Sequence, residues 1–272
     1  MRFDFQGKVA VVTGGAMGIG AATASTLSEL GACVAVLDRD REQGARIAAT
    51  LAGNGHAASF HGCNVEDAAS VQIAMGEAAQ QHGAIHALAH CAGIQRYGDA
   101  LTTSLEVWRE TLHVNLDGCF HAIRAALPHM IAAGGGSIVL VGSVQTVAAV
   151  GNSAAYVTAK HALAGLARSV ALDFAGRNIR ANCVMPGAID TPMLRASINM
   201  APDPDAVLAA CAEAHPLGRI GRSDEVAHVI AFLLSDWASF VTGTTLAVDG
   251  GMLTPAGGMA FQRGGTGSVG KR

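Results

Sequence analysis

Charge, aromatic rings and lysine are scarce in this chain. Only 14% of its 272 residues are charged, 4% are aromatic, and the net charge is −3. That balance gives no electrostatic footing for nucleic acid or an anionic membrane. No apolar run reaches the ~18 residues of a membrane-spanning helix. The opening Met1-Arg2-Phe3-Asp4-Phe5 lacks the charged-then-apolar layout of a signal peptide. The six cysteines, Cys33, Cys63, Cys91, Cys119, Cys183 and Cys211, include no C-x-x-C pair, so free thiols in a reduced, cytoplasmic protein are expected. The eleven histidines show neither H-E-x-x-H nor His/Cys ligand spacing, and no metal site is expected.

What the chain has is apolar material and glycine. Half of its residues are apolar, enough for one large core rather than two small ones. Short β-branched runs alternate with longer Ala-rich stretches of helical character. Strands are expected at 8–13, 32–37, 57–63, 85–91, 137–142, 179–184 and 245–249, with helices between them, the first two over about 19–30 and 41–51. Continuous apolar strands joined by helical crossovers predict a doubly wound, Rossmann-like α/β domain with a parallel sheet covered on both faces. Residues 1–254 are read as that domain and the Gly-rich 255–272 as a tail, ordered only if a neighbouring subunit holds it. Between Pro186 and Pro216, helical pieces around Pro192, Pro202 and Pro204 predict an excursion over the sheet edge.

Thr13-Gly14-Gly15-Ala16-Met17-Gly18-Ile19-Gly20 falls between the first strand and the first helix. Gly14 permits the turn, Gly18 lets backbone approach a pyrophosphate, and Gly20 lets helix and strand pack closely. Phosphates would then meet the free amides of the helix N-terminus. Asp38 ends the second strand, eighteen residues after Gly20. Its carboxylate can accept from the adenosine ribose hydroxyls and repel a 2′-phosphate, or it can cap the next helix. Arg39 beside it could meet a 2′-phosphate, but Met17 adds no second cation, so the balance favours NAD over NADP.

Lys160, one of three lysines, follows Tyr156, one of two tyrosines, by four residues. On a helix the two share a face. An ammonium there favours the phenolate and would draw the tyrosine's pKa from about 10 toward neutrality, making it a proton donor and acceptor for an alcohol oxygen. A solvated lysine one turn from a packed tyrosine is the plainer reading.

These motifs, in this order, resemble the single-domain branch of the short-chain dehydrogenases/reductases over about residues 5–253. The resemblance rests on the Thr13–Gly20 loop, Val114-Asn115-Leu116, Ser143 thirteen residues before Tyr156, Tyr156-x-x-x-Lys160, Pro186-Gly187 and Val248-Asp249-Gly250-Gly251. It implies Tyr156 as general acid/base and Ser143 as hydrogen-bond donor to the substrate oxygen. It makes Lys160 the group that acidifies Tyr156 and binds the nicotinamide ribose, and Asn115 the holder of a relay water. Cofactor contacts are implied at Gly14, Met17, Gly18, Ile19, Gly20, Asp38, Asn64, Val65, Ala92, Gly93, Tyr156, Lys160, Pro186, Gly187, Ile189 and Thr191. Each has a plainer alternative: Ser143 ending its strand, Asn115 bridging strands, Thr191 capping a helix. The chain departs from the family where Asn64 replaces the usual Asp, and where His90-Cys91-Ala92-Gly93 replaces Asn-Asn-Ala-Gly.

Substrate would meet 94–98, 143–153 and 188–215, which supply Gln95, Arg96, Gln145, Asn152, Arg195 and Glu213. Unpaired polar groups cost roughly 1–3 kcal/mol each in a closed site, so a hydroxyl-rich ligand suits them better than a steroid, unless they face solvent. The segments are similar to bacterial sugar and sugar-acid dehydrogenases of the L-fucose type. The expected enzyme interconverts a secondary alcohol or sugar hemiacetal with its carbonyl product, as a homotetramer. The alternatives are an NADPH-dependent 3-oxoacyl-carrier-protein reductase and a non-catalytic dinucleotide-binding module.

Overall fold

The computed structural model describes residues 4–254. Among these, seven strands form one parallel sheet: β1 (Val9–Thr13), β2 (Cys33–Asp38), β3 (Ala58–Gly62), β4 (Ala87–His90), β5 (Gly136–Val141), β6 (Ile179–Pro186) and β9 (Thr245–Val248). Two-residue strands β7 (Ile189–Asp190) and β8 (Gly221–Arg222) pair separately. Parallel pairing requires a crossover between strands, and the expected helices supply it.

One face of the sheet carries α1 (Gly18–Glu29), α2 (Arg41–Gly53) and α9 (Ser223–Leu234); Val12, Val36, Leu27, Leu51 and Ile230 close that layer. The other carries α3 (Ala68–His82), α5 (Gly118–Ala132) and α6 (Ala154–Phe174), around Leu37, Leu88, Met75, Ile123 and Leu163. Strands covered on both sides need no alternation, and all five residues of β1 are buried. The strand order is β3-β2-β1-β4-β5-β6-β9, so the winding reverses between β1 and β4. Loops leaving neighbouring strands there diverge to opposite faces and open a crevice at the carboxyl ends.

The proline-rich excursion holds α7 (Pro192–Ile198) and α8 (Pro204–Glu213), each with proline in its first turn and capped by Thr191 and Asp203 respectively. Between α4 (Leu105–Leu112) and α5, residues His113–Asp117 form a single π turn containing Asn115. No helix among the described residues is long and apolar enough to cross a membrane. The tail expected over 255–272 lies outside the described residues.

Candidate active site

The glycine loop leaves β1 at the reversal point. Gly14 has φ +64°, and a Cβ there would stand 2.6 Å from the Ala92 nitrogen, so only glycine lets this turn lie against the loop after β4. Gly18 opens α1, whose N-cap Met17 offers no side-chain bond and whose first turn has no acid. The helix amides are thus left for an outside acceptor. A Cβ on Gly18 would lie 3.3 Å from Thr191, which brings the start of α7 to the same place.

The loops bound a cleft of about 330 Å³. Its lining includes Gly14, Met17, Gly18, Ile19 and Gly20, then Asp38, Asn64 and Val65, and finally Ala92, Gly93 and Thr191. Tyr156, Lys160, Pro186, Gly187 and Ile189 do not line it; the last three precede Thr191 on the same strand exit. Sequence reasoning missed Cys63, Glu66, Val114, Pro192 and Met193, which also line it. All but Met193 adjoin a residue it did find, and that adjacency was the only available signal.

Asp38 is not a helix cap. Its Oδ2 accepts from the Ala16 amide at 3.0 Å and its Oδ1 from the Asp40 amide at 2.9 Å. Asp40 caps α2 instead, accepting from Gln43. The Asp38 carboxylate therefore braces the glycine loop while facing the cleft. Asn64 Oδ1 accepts from the Glu66 amide at 3.3 Å, which leaves it one lone pair.

Ser143 follows β5 and caps the short turn Val144–Thr146, accepting at Oγ from the Gln145 amide at 3.2 Å. Its hydroxyl stands close enough to the Tyr156 phenol to favour the phenolate. Tyr156 and Lys160 occupy the first turns of α6 and are both buried. Lys160 Nζ lies 5.4 Å from the Tyr156 ring centroid and donates to the Val141 carbonyl at 2.8 Å. A Cβ on Gly93 would sit 2.7 Å from Asn115 Oδ1 and 3.5 Å from Lys160 Nζ, so that glycine marks where lysine, asparagine and cleft wall converge.

One expectation needs correction. Burial pushes the Tyr156 phenol up to about 12, opposed by the Ser143 hydroxyl, rather than toward neutrality. The ammonium does not offset this, because burial also lowers the pKa of Lys160. Asn115 spends both amide hydrogens on the Ile94 and Thr111 carbonyls, each at 2.9 Å, and accepts from Ile94 N at 3.1 Å. Its side chain braces the loop after β4 across the π turn, and one Oδ1 lone pair remains for a water.

His90 takes over the bracing that the family's asparagine suggests. Its Nδ1 meets Thr13 Oγ1 at 2.8 Å, and the same Oγ1 accepts from Ala92 N at 3.5 Å. Burial, then Lys160, lowers His90 to about 3, while burial raises Cys91 to about 12. Both shifts oppose an activated thiol–imidazole pair.

The expected substrate residues divide. Arg96 makes a two-pronged bond to Glu110, at 3.0 and 2.7 Å, and Arg195 does the same to Asp190, at 2.6 and 2.8 Å. Neither guanidinium stands free for a substrate carboxylate. Asn152 adopts φ +59°, with its carbonyl accepting from Gly98. Gln95 is half-buried. Gln145 is buried, and its Oε1 has no hydrogen-bond partner.

A family model described as enoyl-(acyl carrier protein) reductase matches residues 14–253. The chain is 43% identical over 249 residues to the cis-4-hydroxycyclohexanecarboxylate dehydrogenase of Sinomonas cyclohexanicum, covering 91% of this chain and 97% of that one. It is 37% identical over 253 residues to the cyclohexanol dehydrogenase of Acinetobacter sp. (strain SE19), covering 92% and 96%. The ligand-free aldohexose dehydrogenase of Thermoplasma acidophilum superposes with a TM-score of 0.86 at 35% identity, covering 96% of this chain and all of that one. With the reversal-point cleft and the ordered Ser143, Tyr156 and Lys160, these likenesses establish that the chain belongs to the short-chain dehydrogenase/reductase family, NAD(P)-dependent enzymes acting on CH–OH groups.

Proposed function

We propose that the protein oxidises a secondary alcohol on a hydroxylated ring or chain (a sugar, polyol or related cyclic alcohol) with NAD. The observation that carries this reading is the buried Tyr156, beside Ser143 and one turn before Lys160. A bound nicotinamide supplies the hydride acceptor. Ser143 accepts from the Gln145 amide, which orients its hydroxyl hydrogen toward the reacting oxygen. Tyr156 exchanges the proton with that oxygen. Lys160 keeps two of its three donors after bonding Val141, and these suit the ribose hydroxyls. Asp38, Asn64 and the uncapped start of α1 suit the adenosine and pyrophosphate, and the acid at 38 favours NAD.

Within the substrate class, the paired Arg96 and Arg195 favour neutral alcohols over sugar acids. The buried, unpartnered Gln145 oxygen suits a second hydroxyl. The experiment is an NAD-reduction screen over aldoses, polyols, cyclic alcohols and their acids. A preference for acyl thioesters with NADPH, the reading favoured by the description of the matching family, would overturn it. The proposal includes a cytoplasmic homotetramer. All six cysteines are free, and Trp237, Phe240 and Leu246 expose apolar surface beside the closing strand. A stable monomer in light scattering would refute the assembly.

A further inference from the structure

The excursion between β6 and α9 is fastened on its return by one buried side chain. His215 follows α8 and is 2% exposed. Its Nδ1 lies 2.6 Å from the Cys211 carbonyl oxygen, and its Nε2 lies 3.0 Å from the Ala188 amide nitrogen. A carbonyl only accepts and a backbone amide only donates, so the tautomer is settled: hydrogen on Nδ1, lone pair on Nε2. An imidazolium carries hydrogens on both nitrogens and would set a donor against the Ala188 N–H. Only the neutral ring makes both bonds.

Three chain segments meet at this ring. Ala188 lies in the turn between β6 and β7, three residues before Thr191. A Cβ on Gly187 would collide with Nε2, so His215 occupies the space that a side chain at 187 would need. A Cβ on Gly250 would lie 3.4 Å from the His215 Cβ, and Leu217 N donates to the Gly250 carbonyl at 3.2 Å. Among the charged groups sharing its small cavity, Asp249 accepts from Gly251 and Leu253, and Arg219 pairs with Glu225. The thiol of Cys211, on α8, is the other titratable group beside it, held protonated by burial.

We infer that neutral His215 is a positioning residue for the dinucleotide. It holds Ala188, and through it Thr191 at the cleft. The inference rests on the assignment of Thr191 to the cofactor made above.

The test uses the full chain and two variants: His215→Leu, which removes both bonds, and His215→Gln, which keeps a non-titrating acceptor and donor. Amide exchange at Ala188, measured without dinucleotide, is expected to be slow in wild type and H215Q and at least about tenfold faster in H215L. By calorimetry at about pH 8, the NAD Kd is expected to rise about tenfold in H215L, with KM for NAD rising more than kcat falls. H215Q, which keeps an acceptor for the Ala188 amide, is expected to bind NAD within about threefold of wild type. H215L binding as tightly as wild type would overturn the positioning role alone. So would H215Q as weak as H215L. If H215L does not fold, H215Q alone carries the test: Ala188 exchange and NAD Kd both near wild type support the role, and faster exchange with an unchanged Kd overturns it. A wild type that binds neither NAD nor NADP overturns the cofactor assignment and this inference with it.

Discussion

Tyr156 and Lys160 stand one helical turn apart, with the ammonium 5.4 Å from the ring centroid, and burial acts on them in opposite directions. It raises the phenol to about 12 and lowers the pKa of the ammonium. Each group is held toward its neutral form, so Tyr156 stands in the free protein as a protonated acid. In Tyr97→Phe, where Tyr156 is the remaining tyrosine, tyrosinate absorbance should stay flat through about pH 10. A transition below about pH 9 would show that the ammonium outweighs burial.

Tyr156→Phe should remove the proton donor and leave the cleft intact. Turnover should fall about 10²–10⁴-fold while NAD affinity changes little. Lys160→Ala should impair both, since Nζ also bonds the Val141 carbonyl that leads to Ser143. More than a tenth of wild-type turnover in Y156F would end the assignment.

Asp38→Ala should shift kcat/KM from NAD toward NADP, because Arg39 then meets a 2′-phosphate without an opposing carboxylate. The same substitution removes the acceptor of the Ala16 and Asp40 amides, so KM should rise for both dinucleotides. A wild type that already prefers NADP would contradict the weight placed on Asp38.

Arg96→Ala and Arg195→Ala should each change kcat/KM for neutral alcohols by less than about fivefold, since both arginines are held by Glu110 and Asp190 in partly exposed ion pairs. Neither should abolish whatever activity the enzyme shows on acids. If Arg195→Ala does, Arg195 leaves Asp190 for the substrate.

Stability should be greatest between about pH 6.5 and 8.5. On the alkaline side, Cys63 and Cys183 are raised to about 11, and Cys91 and Tyr156 to about 12. The unfolded chain loses those protons sooner, from about 8.5 for thiols and 10 for tyrosine, so stability falls as pH rises. On the acid side His90 is lowered to about 3, while the unfolded imidazole takes its proton near 6.5, so stability falls as pH falls. The Tm measured at about pH 5, 7.5 and 10 should peak in the middle, and His90→Asn should flatten the acid arm. A Tm higher at pH 10 than at 7.5 would refute the alkaline part.

The sequence by itself determined the sheet, its helical crossovers and the loop from Thr13 to Gly20. Strands buried on both faces are written as unbroken apolar runs, and a phosphate-binding turn needs glycine at set positions; both are local requirements. The order of Asn115, Ser143, Tyr156 and Lys160 was legible for the same reason, since each is placed by its own strand end or helix turn. Tertiary structure alone decided how their protons and charges are held. The phenol's acidity depends on how much protein surrounds it, which spacing along one helix does not contain. Arg96 meets Glu110 fourteen residues away, Asp38 meets Ala16 across two strands, and His215 meets Ala188 across the whole excursion. Those pairings join residues distant in the chain, and only the packed sheet brings them within hydrogen-bond reach.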